Sequence, residues 1–155
     1  NCLVRQVYQA IKKIDSSVEF GISPAGNIDN LKSKTSYYVD IDRWVCNSGY
    51  VDYICPQIYW GFQNGQYSYD KVLKRWIQLC SKRKVKLYVG LAMYRTVYYG
   101  SSEWRTSKTI MKRSVAYARK TGKTDGFYFF TYSSFVNAKA AKEKENLVAE
   151  LKKKK

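Results

Sequence analysis

The stretch VKLYVGLAM, residues 85–93, decides how the rest of the chain is read. From Leu87 to Leu91 it is apolar almost throughout, without the in–out alternation of a half-exposed strand. A run of that length buried on both faces belongs to a parallel sheet covered by helices. Helical patterns should therefore flank it, and they do. Upstream, the spacing predicts a helix over Tyr69–Lys82, with Ser68 as N-cap and Asp70 in its first turn. Downstream, an aromatic loop, Tyr94–Glu103, leads into a predicted helix over Ser107–Thr121 that Gly122 stops. The same alternation extends outward. Strands are expected at Val18–Ser23, Val51–Tyr59 and Gly126–Tyr132. A polar loop is expected at Asn27–Ser36. A helix follows at Val39–Asn47, with Asp40 and Asp42 in its first turn and Gly49 as its stop. Leu3, Val4, Val7, Tyr8, Ile11 and Ile14 give an opening helix over residues 3–14, and a last helix covers Ala138–Lys152. Strand centres near residues 20, 55, 89 and 129 are spaced by roughly 35 to 40 residues, the length of a βα unit. The expected class is α/β: four βα units preceded by a helix. Right-handed units of this step build a small open sheet or half of a (β/α)8 barrel, which in full needs about 250 residues.

The 155 residues suffice for one domain with a real core. The sequence holds no His, which rules out a Ser-His-Asp or Cys-His pair and any His-ligated metal. No metal site and no cofactor are expected. No apolar run approaches the roughly 18 residues of a membrane span, and no signal-peptide pattern opens the sequence. The first residue, Asn1, is not Met, so the N-terminus reads as a cut rather than a biological start. Cys2, Cys46, Cys55 and Cys80 show no C-x-x-C spacing and read as buried free thiols, with disulfides possible but not demanded. The formal net charge is +16. The tail Lys139–Lys155 contributes +4 of it, and the rest is spread, with peaks at Lys82-Arg83-Lys84, Lys112-Arg113 and Lys152–Lys155. Such a surface favours anionic partners or is simply a solvated Lys-rich face. No regular stripe of Lys and aromatics marks a nucleic-acid groove, so no specific nucleic-acid partner is expected.

In parallel α/β folds the active site lies at the C-terminal ends of the strands. That rule sorts the carboxylates. Glu19, Asp52 and Asp125 precede their strands and Asp15 follows the first helix, all on the opposite, stabilising face. Asp40, Asp42 and Asp70 favour helix N-termini. Glu143, Glu145 and Glu150 are expected to face solvent on the last helix. Only Asp29 and Glu103 fall in loops on the functional side, as weak catalytic candidates beside the simpler reading of solvated loop residues. Polar and aromatic residues are richer there. Period-two alternation puts Gln57 and Tyr59 on one face with Tyr53 and Cys55. Exposed Tyr and Trp beside amides suit carbohydrate: ring faces take sugar C–H groups and amides take hydroxyls. The plainer reading is core or rim packing, to which Trp44 and Trp76 are assigned.

The segments VEFGISPAGNIDNL (18–31), YVDYICPQIYWGFQ (50–63), VKLYVGLAMYR (85–95) and DGFYFFTYSSF (125–135) closely resemble, in order and spacing, the glycosyl hydrolase-like family 10 proteins. The resemblance covers nearly the whole chain. It implies a (β/α)8 TIM barrel, with these segments as its fifth to eighth strands and NCLVRQVYQAIKK (1–13) as the helix after the fourth. It also implies an exported bacterial protein, extracellular or at the cell envelope, acting on glycans such as peptidoglycan. The family's paired-Asp motif, expected to supply a catalytic carboxylate, would lie before Asn1, and glycoside hydrolysis usually needs two carboxyl groups about 5–10 Å apart. The expectation is therefore that residues 1–138 form the C-terminal half of a glycosidase-like barrel and 139–155 a terminal helix and Lys-rich tail. This half would be inactive alone but would keep part of the sugar-binding wall: Ser23, Asn27, Gln57, Tyr59, Trp60, Tyr94, Arg95 and Tyr132. Arg95 is expected either to pair with a glycan carboxylate, such as a muramic lactyl group, or to brace a neighbouring loop. The alternative function is a non-catalytic carbohydrate- or wall-binding half-barrel module. The expected partners are a glycan substrate and a missing N-terminal barrel half or a self-dimer, since a half barrel exposes two sheet edges and half a lumen. A nucleic-acid-binding module rests on charge alone.

Overall fold

The computed structural model describes residues 1–81, 85–99 and 102–153. The expected basic cluster at Lys82-Arg83-Lys84, the end of the helix placed at Lys82, and the last lysines, Lys154 and Lys155, lie outside the described residues.

Four parallel strands form one sheet in the order β1-β2-β3-β4: β1 Gly21–Ile22, β2 Tyr53–Ile54, β3 Lys86–Leu91 and β4 Gly126–Phe129. The register pairs Gly21 with Tyr53, Tyr53 with Lys86 and Tyr88 with Gly126. Sequential order with a helix after every strand is the arrangement of half of a (β/α)8 barrel. The ladders of β1 and β2 are shorter than the sequence suggests. Pro24 and Pro56 have no N–H to give, so regular pairing lapses at each. Their carbonyls still accept, from Gln57 N at 2.9 Å and Gly90 N at 3.0 Å, and Gln57 bridges to both Ala25 and Gly90.

Alternation along the strands divides the sheet into two faces. Ile54, Leu87, Val89 and Leu91 are almost fully buried against the helices. The largest helical contribution comes from α4, Tyr69–Cys80, which buries Tyr69, Val72, Leu73, Trp76, Leu79 and Cys80 at helical spacing. Fully burying each large apolar side chain contributes roughly 1.5–3 kcal/mol. Two polar ends are satisfied in this core: Tyr69 Oη donates to Ser114 O at 3.0 Å, and Trp76 Nε1 to Gly26 O at 2.7 Å. The Trp76 bond also holds the turn after β1. Ser68 precedes α4 as expected, but its side chain makes no capping bond.

Three expected loops and helices are redrawn. The polar segment after β1 contains α2, Ile28–Lys32, because Asn27 Oδ1 accepts from Asp29 N and Asn30 N and nucleates a turn. The next helix, α3, is Ile41–Cys46, capped by Asp40 through Arg43 N at 3.2 Å. The aromatic loop after β3 folds into α5, Arg95–Tyr98, and α6, Ser102–Thr106, before α7, Ile110–Thr121, which Gly122 ends in the left-handed conformation. After β4 come α8, Tyr132–Phe135, a 3-10 turn at Ala138–Ala140, and α9, Ala141–Leu151.

The last helix corrects the reading of its acids. Glu143, Leu147 and Glu150 lie three and four residues apart on one face, and α9 lays that face on α7. Glu143 is 1% exposed and accepts from Met111 N at 2.5 Å. Glu150 is buried too, pairing with Lys153, while its carbonyl accepts from Arg119. Glu145 remains exposed, paired with Lys142. The thiols also divide: Cys55 and Cys80 are buried and Cys46 half-buried, but Cys2 is exposed on α1, Cys2–Ile14, and all four are free.

Acids before the strands hold the N-terminal end of the sheet. Asp52 accepts from Phe20 N at 2.8 Å, pairs with Lys12 at 2.9 Å and takes Tyr8 Oη, so it joins α1 to β1 and β2. Burial works against its charge, but the Phe20 amide, Lys12 and Tyr8 outweigh it and hold the carboxyl below its ordinary range. Asp125 accepts from Leu87 N at 2.7 Å, and Glu19 pairs with Lys86.

Candidate functional site

The opposite face of the sheet carries small residues and rings in alternation. Gly21 and Ser23 come from β1 and its end, Tyr53 and Cys55 from β2, Tyr88 and Gly90 from β3, and Tyr128 and Phe130 from β4. The Tyr53 ring covers Gly21, where a Cβ would come within 2.2 Å of it. Large side chains over small ones on neighbouring strands are how a narrow barrel interior fills. Two aromatic layers result. Nearer the strand starts, Tyr53, Tyr88 and Tyr128 meet with ring centroids 5.3–6.5 Å apart. At the strand C-terminal ends, Tyr59, Tyr94 and Phe130 meet at 5.9–6.4 Å. Between these layers lies a cavity of about 280 Å³, lined by Ser23, Tyr53, Cys55, Tyr59, Tyr128 and Phe130 among others. Tyr128 and Phe130 are more than half exposed on this side.

Of the residues expected from sequence to form a sugar-binding wall, four meet at this cluster. Ser23 Oγ donates to Cys55 O at 2.8 Å, and Gln57 Nε2 to Ser23 O at 3.1 Å, fixing the amide at the sheet's upper rim. Tyr59 and Tyr94 stand edge to face. Tyr94 N donates to Phe130 O at 3.0 Å, so the ends of β3 and β4 hold the two rings together. Arg95 lies beside them, its guanidinium carbon 5.6 Å from the Tyr94 ring centre. The other three sit apart. Asn27 is buried as the cap of α2 and lines a separate cavity of about 170 Å³ with Asp29, Lys71 and Arg75. Trp60 packs on Tyr67 at 5.6 Å. Tyr132 stands 80% exposed at the start of α8. Phe130 escaped the sequence reading, although period two from Tyr128 through Phe130 to Tyr132 carries its signal.

Both carboxylate candidates are engaged in structure. Asp29 forms a two-point bond with Arg75 at 2.6 and 2.7 Å, which holds its carboxyl below the ordinary range despite some burial. Glu103 is 4% exposed and accepts from Phe62 N at 3.2 Å, Gln63 N at 3.0 Å and Arg113 at 3.4 Å. Gly61 packs on that carboxylate so closely that a Cβ would come within 2.0 Å of it. Glu103 thereby ties the loop after β2 to the segment after β3, and Arg113 lies 4.4 Å over the Phe62 ring.

The groups at the cluster offer ring faces and hydrogen bonds. Burial, with Tyr94 beside it, pushes the Tyr59 phenol up to about 12, so it stays neutral and able to donate. Burial pushes the Cys55 thiol up to about 11, far from a reactive thiolate. Among the described residues no group of three or more Cys, Asp or Glu is placed to hold a metal ion. Open aromatic faces flanked by a fixed amide and neutral hydroxyls match the faces and hydroxyls of a sugar.

Residues 1–104 match the family described as glycosyl hydrolase-like 10. The chain belongs to that family. Glycosyl hydrolase DigH of Escherichia coli (strain K12) is 39% identical over 105 residues, which cover 60% of this chain and 24% of that protein. Glycosyl hydrolase YngK of Bacillus subtilis (strain 168) is 34% identical over 108 residues, 61% of this chain and 21% of its own length. The chain thus spans under a quarter of the curated relatives it matches. The glycosyl hydrolase-like 10 match takes in the first three strands, Gln57, Tyr59, Tyr94, Arg95 and the Glu103 clamp, and ends before β4. No helix among the described residues is long and apolar enough to cross a membrane.

Proposed function

We propose that this chain supplies the substrate-binding wall of a glycoside hydrolase barrel that acts on bacterial cell-wall or related polysaccharide. Residues 1–138 would be the C-terminal half of that barrel and 139–155 its terminal helix and Lys-rich tail. The supporting observation is the Tyr59–Tyr94–Phe130 cluster with Gln57 at the C-terminal ends of parallel strands, in a chain of a glycosyl hydrolase-like family. Strand C-terminal ends are where barrel enzymes hold substrate. The two carboxylates on this side each serve a structural bond, so the acid and base of hydrolysis would come from βα units outside these residues. Those units, or a second copy of the chain, would also cover the exposed inner face. A wall substrate would put the whole protein outside the cell or at its envelope.

The test is a pelleting assay with purified, insoluble peptidoglycan, combined with a reducing-end assay. The 155-residue chain is expected to pellet without releasing reducing ends. Replacing both Tyr59 and Tyr94 with Ala should lower binding about tenfold, from the loss of two aromatic contacts. Tyr37→Ala, at an exposed site elsewhere, should leave it unchanged. Binding indifferent to the double substitution, or hydrolysis by this chain alone, would overturn the proposal.

A further inference from the structure

A second cavity lies apart from the aromatic cluster, between the turn after β1, the loop after β2 and α4. It has a volume of about 170 Å³, with Asn27, Asp29, Gln66, Tyr67, Lys71 and Arg75 in its wall. Its deepest polar group is Asn27, which is only 5% exposed. Asn27 Oδ1 accepts from Asp29 N at 2.9 Å and Asn30 N at 3.3 Å. Only the oxygen of an amide can accept, so these two bonds also fix its nitrogen. Nδ2 is the other arm of the planar amide, turned away from the α2 amides, and it meets no acceptor among the described residues. Nor is it sealed from solvent, as the unpartnered Ser114 Oγ is. A donor so deeply set is costly to leave unpaired, and it marks a place for an oxygen brought by water or a ligand. Lys71 and Arg75, four residues apart, share one face of α4 above it. Lys71 Nζ donates to Gly65 O at 2.8 Å, which uses one of its three protons.

The charges in the wall select the ligand. The Arg75 fork that an anion would take is already filled by Asp29, through bonds of 2.6 and 2.7 Å. The Asp29 carboxylate also repels a second anion there. What remains is a set of fixed donors, Asn27 Nδ2 and Lys71 Nζ, beside a fixed acceptor, Asp29, and the Tyr67 ring. Neighbouring hydroxyls on a sugar ring each donate and accept, which fits that set. The place of the cavity fits as well. Tyr59 belongs to the aromatic cluster, whereas the next residue, Trp60, packs on Tyr67 and lies so near Gly26 that a Cβ there would come within 2.7 Å of its ring. One turn of chain thus carries a wall of each site. We propose that this cavity is a second sugar subsite, which takes the hydroxyls of another residue of the glycan strand lying on the Tyr59–Tyr94–Phe130 cluster. The proposal rests on the glycan-binding reading above and extends it to residues outside the barrel rim.

The experiment titrates the isotope-labelled 155-residue chain with soluble peptidoglycan glycan strands and follows both the affinity and the side-chain amide resonance of Asn27. In the wild type that resonance should shift as the strands bind. Asn27→Asp keeps the capping oxygen and exchanges only the donor arm, so α2 stays capped. It should lower strand affinity about tenfold, the scale of one or two hydrogen bonds lost in a partly buried site. Lys71→Met removes the second donor and should lower affinity about threefold to tenfold. Lys74→Met removes the same charge from an exposed position of α4 outside the cavity and should change affinity less than twofold. An Asn27 amide that stays unmoved while strands bind would overturn the proposal, and so would equal losses in Lys71→Met and Lys74→Met. A shift of that amide with inorganic phosphate and none with strands would also overturn it, assigning the cavity to an anion. Strand binding that needs Tyr59 and Tyr94 but ignores Asn27→Asp would overturn this subsite and leave the glycan-binding reading standing. No binding of strands by the wild type would refute that reading, and this proposal with it. The amide shift needs no variant, so it decides even if Asn27→Asp fails to fold.

Discussion

Glu143 gives the sharpest prediction at the scale of single residues. Burial pushes its carboxyl up from 4.5 to about 7, against the pull of the Met111 amide, Lys108 and Arg113. A carboxyl raised in the folded state favours the protonated form there. Its contribution to stability is therefore complete below about pH 4.5 and is lost as pH rises through about 7. Thermal or urea unfolding should show stability falling across that window by on the order of 3 kcal/mol. Glu143→Gln keeps an acceptor for Met111 N and removes the titration, so its profile should be flatter there; an unchanged slope would contradict the assignment. On the inner face, Gly21→Ala would drive a methyl into the Tyr53 ring and should cost about 1–3 kcal/mol. A denaturation midpoint no lower than wild type would contradict that packing. The burial of Glu143 and Glu150 was hidden in the sequence because a charge carries no mark of the neighbour that will cover it. The stabilising acids were legible, because Asp52 and Asp125 stand before strands and topology alone assigns that end.

Among the elements, the decisive connection is Glu103, which joins the loop after β2 to α6. Glu103→Ala would leave the Phe62 and Gln63 amides without their acceptor, at a cost of about 2–3 kcal/mol. Hydrogen exchange should quicken at Phe62 and Gln63 while the β3 amides stay protected. Exchange unaltered at those two positions would show that the loop is held by other means. The strands and long helices could be read from periodicity, because Leu87–Leu91 and the buried stripe of α4 are dictated by burial over several residues. The short helices α2, α5 and α6 could not. Each is five residues or fewer, too short for a period to emerge, and each depends on a cap or a tertiary contact. At the site, the pairing of Tyr59 with Tyr94 followed from strand ends meeting at one rim. The separation of Asn27 and Trp60 from that rim did not, because a turn decides on which side of it a side chain falls.

At the scale of the whole molecule, β1 and β4 each pair on one side only among the described residues, and Tyr128 and Phe130, in and just after β4, are more than half exposed. The apolar positions Leu3 and Ile14 of α1 are also exposed. Surfaces of that kind associate. Sedimentation velocity should show concentration-dependent self-association of the chain, weakened by replacing Tyr128 and Phe130 with Ser; a monomer at every concentration would contradict it. The central claim is that glycan binds at the strand C-terminal rim. Its most direct measurement is a titration of the isotope-labelled chain with soluble peptidoglycan glycan strands, followed by amide chemical shifts. Perturbations gathered at Gln57–Trp60, Met93–Arg95 and Phe130–Tyr132 are expected. Perturbations centred instead on Glu19, Asp52 and Asp125 at the opposite end of the sheet, or none at saturating glycan, would contradict it.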